Sequence, residues 1–285
     1  MWKWHLPDIY KKAYGFDIDS NLFFTNTMVL IDIFENGKRT TIEISQKDYD
    51  RLNSQIKEGK KYRYVNNDPE QSMVNFRGSG FKWAIFDALD NNRIWPSYYK
   101  YVEAHRRAAP RSDITARWHP REELKDTNKE IIIYKFTKDI RKDLLKSMQK
   151  RLKYSDIDRN LLKDTDFLIE TYLNNNYYAP CSNEEYLKTI GMTLKDSMSD
   201  RKNAAFEHSV LSAKKVFEGY YWSDFFTKEE IFMGFSDDTK SNIDGLHKHI
   251  YTKDTGLMRK YPEVKFRIYD TGEPMMPVKI SYKNN

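Results

Sequence analysis

The chain has 285 residues, which is enough to bury a substantial core in one large domain with an inserted subdomain. Aromatic residues make up 15% of the sequence, which excludes a disordered chain despite the mean hydropathy of -0.81, and no apolar run reaches the roughly 18 residues of a membrane-spanning helix. The net charge of +6 suits either an anionic partner, such as a phosphorylated molecule or nucleic acid, or a solvated surface that keeps the protein in solution.

Cysteine content and the N-terminal residues predict the compartment. The single cysteine, Cys181, excludes an internal disulfide framework and suits a reducing environment. The first residues lack the apolar segment and small-residue cleavage site of a secretory signal peptide. We therefore expect a soluble, cytoplasmic protein with no disulfide partner and no membrane partner.

A short apolar segment, residues 13 to 16, predicts the first buried strand, and Asp17 and Asp19 follow directly at its C-terminal end. Open α/β sheets place their ligand sites at the carboxyl ends of the strands. In a regular strand residues i and i+2 face the same side, so both carboxylates can reach one substrate. This segment is therefore the first candidate site.

Residues 28 to 105 predict an insertion, a cap or lid, between the first and second strands of the core. It begins with two strands, 28 to 33 and 40 to 44, which the turn signal Asn36-Gly37 joins as a hairpin. It ends with an aromatic-rich helical stretch from 81 to 105.

The middle of this insertion carries two weaker signals. Ser45 and Asp48 have the spacing of a helix-capping box, and the helix that they open would end near Gly59, followed by loop over residues 60 to 80. Residues 95 to 101 interleave aromatic and basic side chains as single-strand nucleic-acid binders do, although the same rings would equally pack the insertion.

The second core strand and several helices are predicted next. Residues 112 to 117 form a short extended segment that leads into a turn and carries Thr115 and Arg117. Helices are predicted between residues 120 and 152. The apolar run from 131 to 136 suits a strand by composition, but the absence of turn residues beside it favours a helix.

A long helix and a strand precede a second acidic cluster. Apolar residues from Phe206 to Tyr220 recur at alternating steps of four and three, which predicts one helix with a buried face. Residues 230 to 235 predict a strand, and Asp237 and Asp238 follow it. The strand-helix-strand order predicts an α/β fold with a parallel, helix-covered sheet.

The two acidic clusters predict a metal site. Either one alone is typical of a solvated turn, but both follow predicted strands of one parallel sheet. Four converging carboxylates would repel one another unless a divalent cation lay between them, and an oxygen-rich site suits Mg²⁺ best. We therefore expect a magnesium-dependent phosphohydrolase.

The ordered set of these motifs resembles the haloacid dehalogenase superfamily of phosphotransferases and phosphatases. The set consists of Asp17-x-Asp19, Thr115, a lysine at the start of a helix, and Asp237-Asp238. The forms Thr-Ala-Arg-x-His at 115 to 119 and Gly-Phe-Ser-Asp-Asp at 234 to 238 are most similar to uncharacterised members carried by bacteriophages. For a viral protein, the expected compartment is the host cytoplasm.

The resemblance implies a fold and a division of the chain. The expected core is a Rossmann-like three-layer α/β/α arrangement with a parallel sheet, formed by residues 1 to 27 and 106 to 285. Residues 28 to 105 would then form a flap hairpin and a mostly helical cap inserted after the first strand.

The resemblance also implies roles for the acidic residues. Asp17 would be the nucleophile that forms an aspartyl-phosphate, which splits one difficult hydrolysis into two steps. Asp19 would protonate the leaving oxygen and then deprotonate the attacking water. Mg²⁺ would be held by Asp17, by the Asp19 carbonyl and by Asp237, with Asp238 supporting these ligands.

Four further residues complete the expected site. Thr115 would hydrogen-bond a phosphoryl oxygen, and Lys202 would offset the negative charge that develops there. Lys214 lies roughly 18 Å further along the same predicted helix and is less suitable. Asn21, which stands where the family usually has Thr, and Arg117 would bind the substrate.

Two classes of function follow from these expectations. The first is a phosphomonoesterase whose cap selects a phosphorylated small molecule, such as a nucleotide or a sugar phosphate, or a nucleic-acid 3′-phosphate end. The second is a binding, scaffold or virion protein that keeps the fold but has little catalytic activity.

Overall fold

Parallel strands form the central sheet of the structure. The computed structural model describes residues 11–25, 28–72, 80–95, 97–153, 155–219, 231–272 and 278–280. Their strands are β1 (Lys11–Phe16), β2 (Met28–Glu35), β3 (Lys38–Ser45), β4 (Tyr62–Tyr64), β5 (Arg111–Thr115), β6 (Tyr177–Pro180), β7 (Ile231–Asp237), β8 (Val264–Asp270) and β9 (Val278–Ile280).

Helices connect most of these strands. In chain order they are α1 (Gln46–Glu58), α2 (Pro69–Ser72), α3 (Gly80–Asp90), α4 (Ser97–Arg106), α5 (Arg121–Glu130), α6 (Lys138–Leu152), α7 (Thr165–Asn174), α8 (Glu184–Thr189), α9 (Met198–Gly219), α10 (Lys240–Tyr251) and α11 (Leu257–Lys260). A π-helical turn, Ile131–Lys135, follows α5 directly, so the prediction of helix rather than strand there is confirmed.

The main sheet has the strand order β6-β5-β1-β7-β8-β9 in the described part of the chain. The first five strands in this order run parallel, and β9 pairs antiparallel with β8. The predicted α/β fold with a parallel, helix-covered sheet is therefore confirmed, and it is Rossmann-like. Because β1 is central and pairs with β7, the two acidic clusters that follow these strands lie side by side.

Helices cover both faces of this sheet. On one face α9 and α10 pack against β1, β5, β7 and β8, and the apolar face predicted for α9 contributes Phe206, Val210, Ala213 and Phe217 to a buried cluster. On the other face residues of α3 to α7 form a second cluster around Phe16. Alternating side chains of the strands feed both clusters, as the pleat of a buried sheet requires.

A smaller antiparallel sheet, β3-β2-β4, follows the first acidic cluster. The predicted hairpin is confirmed, and its Asn36-Gly37 turn has positive φ at both residues, 51° and 73°. The predicted helix cap is also confirmed, since Ser45 accepts from the Asp48 amide and Gly59 ends α1 in the left-handed conformation. The sheet and α1 share their own small apolar cluster.

The remainder of the predicted insertion differs from the expectation in two places. The loop predicted over residues 60 to 80 contains β4, because Tyr62 to Tyr64 pair with β2, a tertiary contact that the polar sequence does not signal. The residues after 72 up to 79 lie outside the described part. Helices α3 and α4 pack with β1 in one cluster instead of with the small sheet, and the boundaries 28 and 105 remain a prediction.

Strand β5, which lies between β6 and β1, carries a buried ion pair. Arg111 and Asp113 are both almost fully buried, and the Arg111 Nε lies 2.9 Å from Asp113 Oδ1. The Asn128 amide donates to Asp113 Oδ2 at 2.8 Å, and the Arg111 guanidinium lies 4.6 Å from the centre of the Tyr101 ring. These contacts explain how a strand with charged residues is accommodated in a core.

We predict that Asp113→Ala destabilises the protein by about 3–5 kcal/mol, because it leaves the buried Arg111 without its carboxylate. The double variant Arg111→Met/Asp113→Leu should recover most of this loss, since it removes both charges from the core. Urea unfolding followed by circular dichroism measures both, with the exposed Asp156→Ala as the control. A loss below about 1 kcal/mol for Asp113→Ala would contradict this account of β5.

Candidate active site

The candidate site lies where β1 and β7 end beside each other. Phe16 pairs with Ser236 in the sheet register, and the Asp17 amide donates to the Ser236 carbonyl at 2.9 Å. Asp17 and Asp237 therefore leave neighbouring strands at the same level. Both side chains are buried, with 6% and 0% of their surfaces exposed.

Three carboxylates converge at this edge of the sheet. One oxygen each from Asp17, Asp237 and Asp238 lies within 4.8 Å of the other two. The set supplies only oxygen ligands, which Mg²⁺ prefers. The two acidic clusters predicted from the sequence thus meet in space, and three of the four residues predicted at the metal site, Asp17, Asp237 and Asp238, bring their carboxylates into the group.

Lys202 contacts two of these carboxylates from α9. Its Nζ lies 3.0 Å from Asp17 Oδ1 and 2.7 Å from Asp237 Oδ2. Burial disfavours the charged ammonium, but the two carboxylates outweigh it and raise the pKa of Lys202. Lys214 instead pairs with Glu263, so the lysine at the cluster is the one that the sequence favoured.

The cluster carries more negative charge than Lys202 can balance. Burial raises the pKa of Asp17 well above its ordinary value, and the nearby Asp237 and Asp238 raise it further, against the opposing effect of Lys202. Three carboxylates and one ammonium sum to a charge of about -2 when all are ionised. A divalent cation would compensate this charge, so the residues present fit Mg²⁺.

Asp19 has a separate partner and is not in the three-carboxylate group. Arg117 donates to both Asp19 oxygens, from Nε at 2.7 Å and from a terminal nitrogen at 2.6 Å, and the Thr25 hydroxyl donates at 2.9 Å. Burial alone would raise the pKa of Asp19, but the Arg117 guanidinium holds it below the ordinary value. The metal contact through the Asp19 carbonyl remains a prediction.

Arg117 is therefore used within the protein. Its side chain is fully buried, and its guanidinium also lies 5.0 Å from the centre of the Phe81 ring. The resemblance implied that this residue binds the substrate. In the structure its recorded contacts orient Asp19, and the role in substrate binding remains a prediction.

Thr115 ends β5 beside these residues and is fully buried. Its hydroxyl accepts a hydrogen bond from the Arg117 backbone amide at 3.2 Å, and its carbonyl accepts from the Cys181 amide at 2.8 Å. Its predicted contact with a phosphoryl oxygen remains a prediction. Burial raises the pKa of the Cys181 thiol to about 12, so this cysteine is a neutral core residue at physiological pH.

Asn21 connects the strand ends through four hydrogen bonds. Its amide nitrogen donates to the Asp17 carbonyl at 2.8 Å and to the Ser236 hydroxyl at 2.9 Å. Its carbonyl oxygen accepts from Ser97 at 3.0 Å and from Thr271 at 2.7 Å. These bonds use the whole amide, so the observed role of Asn21 is to hold the loop after β1, whereas substrate binding was predicted.

Two positioning residues were not predicted from the sequence. The Thr239 amide donates to Asp237 Oδ1 at 2.9 Å, and the Asn242 side chain donates to the same oxygen at 3.1 Å. Both lie at the start of α10, and an aspartate side chain commonly accepts a bond from the backbone amide two residues later. They orient Asp237 toward Lys202.

Comparisons with protein-family models, curated proteins and solved structures found no match to this chain. Among the described residues, no helix combines the length and the hydropathy that a membrane span requires.

We predict that Asp17→Asn stabilises the metal-free protein at pH 7. A carboxyl group with a raised pKa binds its proton more tightly in the folded state, so stability falls as the pH rises above 3.8 toward the folded pKa. Urea unfolding in EDTA between pH 4 and 7 measures this effect. As the pH rises, the free energy of unfolding of the variant should increase relative to that of wild type, by at most about 1.4 kcal/mol per pH unit.

We expect Mg²⁺ to reverse this order, because a cation that bound the folded wild type would add about 2.7 kcal/mol at one hundred times its Kd. The exposed Asp244→Asn is the matched control and should follow wild type throughout. The account is wrong if Asp17→Asn has the pH dependence of wild type in EDTA.

Proposed function

We propose that this protein is a magnesium-dependent phosphohydrolase that acts on phosphomonoesters through an aspartyl-phosphate. The observation that carries the proposal is the group of three carboxylates, Asp17, Asp237 and Asp238, with the buried Lys202 between two of them. This group lies at the carboxyl end of a parallel sheet, where open α/β folds bind ligands. The motifs that resemble the haloacid dehalogenase superfamily support the same reaction.

The proposed reaction has two steps. A carboxylate oxygen of Asp17 attacks phosphorus, and the bond from phosphorus to the leaving oxygen breaks. Water then attacks the phosphorus of the aspartyl-phosphate, which releases phosphate and restores Asp17. Mg²⁺, held by Asp17, Asp237 and Asp238, would neutralise phosphate charge when bound.

The other residues would provide charge and proton transfer. Lys202 would stabilise the negative charge of the transferring phosphoryl group, at the cost of its present contact with Asp17. Asp19 would protonate the leaving oxygen in the first step and take a proton from water in the second. The contact with Arg117 favours the carboxylate form of Asp19, which is the form that the second step requires.

The same contact favours the second candidate function. With both oxygens engaged by Arg117, Asp19 is poorly placed to deliver a proton to an alkoxide leaving group. A binding, scaffold or virion protein with weak catalysis would retain such an arrangement. Phosphate release separates the two candidates.

We predict that wild type releases phosphate in the presence of Mg²⁺ and that Asp17→Asn lowers this rate to the uncatalysed background, since it removes the nucleophile with little change of shape. The substrates are an aryl phosphate, a nucleotide panel and a 3′-phosphorylated oligonucleotide. Asp244→Asn serves as the matched control and should retain the wild-type rate. Full activity of Asp17→Asn would contradict the assignment, and a folded, Mg²⁺-binding wild type without turnover would favour the binding function.

A further inference from the structure

A cleft of about 310 Å³ lies on the sheet next to the candidate site. Its floor consists of residues from β1, β7 and β8, and residues of α4 form one wall. A cavity of this size is at the lower end of the range for small-ligand pockets, about 300–1,000 Å³, and suits a single nucleotide unit. The proposed phosphohydrolase reaction uses none of the side chains inside it.

The lining combines exposed rings with positive charge. Tyr99 in α4 is 70% exposed, and Tyr269 in β8 lines the cleft from the sheet. Lys100 pairs with Glu103 at 2.6 Å, and both residues line the cleft. The exposed Arg267 also lines it and has no ion pair among the described residues, so it supplies the cationic group that is available to a ligand. Its guanidinium lies 5.2 Å from the centre of the Phe232 ring. Rings and cations along one groove are the combination with which proteins bind single-stranded nucleic acid.

The cleft lies one layer of side chains away from the acidic group. Ser97, Ser236 and Thr271 line it, and their hydroxyls are the ones that hydrogen-bond Asn21, which also binds the Asp17 carbonyl. Phe16, the residue before Asp17, lines it as well. One layer of hydrogen bonds therefore separates the cleft from the loop that carries the carboxylates.

Gly234 lines the floor of the cleft and has no side chain to occupy it. A Cβ built at this position would lie 3.6 Å from the Tyr269 ring and 4.0 Å from the Arg267 carbonyl, which are ordinary contacts. Alanine therefore fits without strain, while a longer side chain would extend into the cleft. This position allows the cleft to be filled without changing a charge.

We propose that this cleft binds single-stranded nucleic acid, holding the nucleotide next to a terminal phosphate that lies at the three-carboxylate group. The inference rests on the proposed function for the role of that phosphate. In this proposal Tyr99 and Lys100, which belong to the aromatic and basic segment from 95 to 101, bind the strand. The bases would stack on Tyr99 and Tyr269, and Arg267 would contact the backbone phosphates.

Fluorescence anisotropy of a labelled, 3′-phosphorylated single-stranded oligonucleotide tests the proposal in the Asp17→Asn background, where turnover does not interfere. Gly234→Leu should raise the Kd at least about tenfold by filling the cleft, and Tyr99→Ala should raise it about fivefold or more by removing a stacking ring. Arg267→Gln should weaken binding and reduce the salt dependence by about one phosphate contact.

Matched controls separate the cleft from general effects. Gly234→Ala tests the fold at the same position, Lys146→Gln removes an exposed charge elsewhere, and Tyr134→Ala removes an exposed ring elsewhere. All three should bind within about twofold of the parent. A mononucleotide should compete far more weakly than the oligonucleotide.

Several results would overturn the inference. These are unchanged oligonucleotide binding in folded Gly234→Leu, Tyr99→Ala and Arg267→Gln, no binding by the parent, or equal competition by a mononucleotide.

Assays on wild type and Gly234→Leu separate the inference about the cleft from the proposed function. Hydrolysis of aryl phosphate by both, with an oligonucleotide KM raised only in Gly234→Leu, supports both proposals. Binding that depends on the cleft without any phosphate release supports the inference alone.

Discussion

The concentration of buried negative charge where β1 and β7 end is the constraint on which the rest of the site depends. One carboxylate oxygen each of Asp17, Asp237 and Asp238 lies within 4.8 Å of the other two, and burial strengthens the repulsion between these charges. Lys202 offsets part of it, and α9 packs its apolar side against the sheet so that this lysine is buried between two of the carboxylates. Asn21, Thr239 and Asn242 hold the same strand ends by hydrogen bonds. A divalent cation would compensate the remaining negative charge and would in turn attract a phosphate.

The site separates its carboxylates into two electrostatic environments. Burial raises the pKa of Asp17, which shares Lys202 with Asp237, whereas the bidentate contact with Arg117 holds the pKa of Asp19 below its ordinary value. Two acidic residues only two positions apart in the sequence therefore differ in the proton affinity of their side chains. Such a division is how one site assigns different roles to identical groups. Here it leaves Asp17 inclined to keep a proton until a cation binds, and it keeps Asp19 in the carboxylate form that takes a proton from water.

The sequence predicted the elements that depend on residues close to one another in the chain. The β2–β3 hairpin, the cap of α1, the buried face of α9 and the strands that deliver the two acidic clusters all follow from turn chemistry and periodicity. The sequence also indicated Lys202 by its place near the start of α9.

Contacts between residues distant in the sequence carried no such signal. Asn21 is bonded by Ser97 and Thr271, which are 76 and 250 positions away. The extended segment that became β5 was predicted, but the buried ion pair between Arg111 and Asp113 was not. The pairing of Arg117 with Asp19, 98 positions apart, was missed for the same reason.

The central claim is that Asp17 becomes phosphorylated during turnover, and trapping the intermediate tests it most directly. Wild type would be mixed with Mg²⁺ and a phosphorylated substrate, quenched in acid within one turnover and digested for peptide mass spectrometry. The account predicts a phosphate on the peptide that contains Asp17, removable by hydroxylamine as an acyl phosphate is, and absent from Asp17→Asn. Turnover with no phosphopeptide, or with phosphate on a residue other than Asp17, would contradict it.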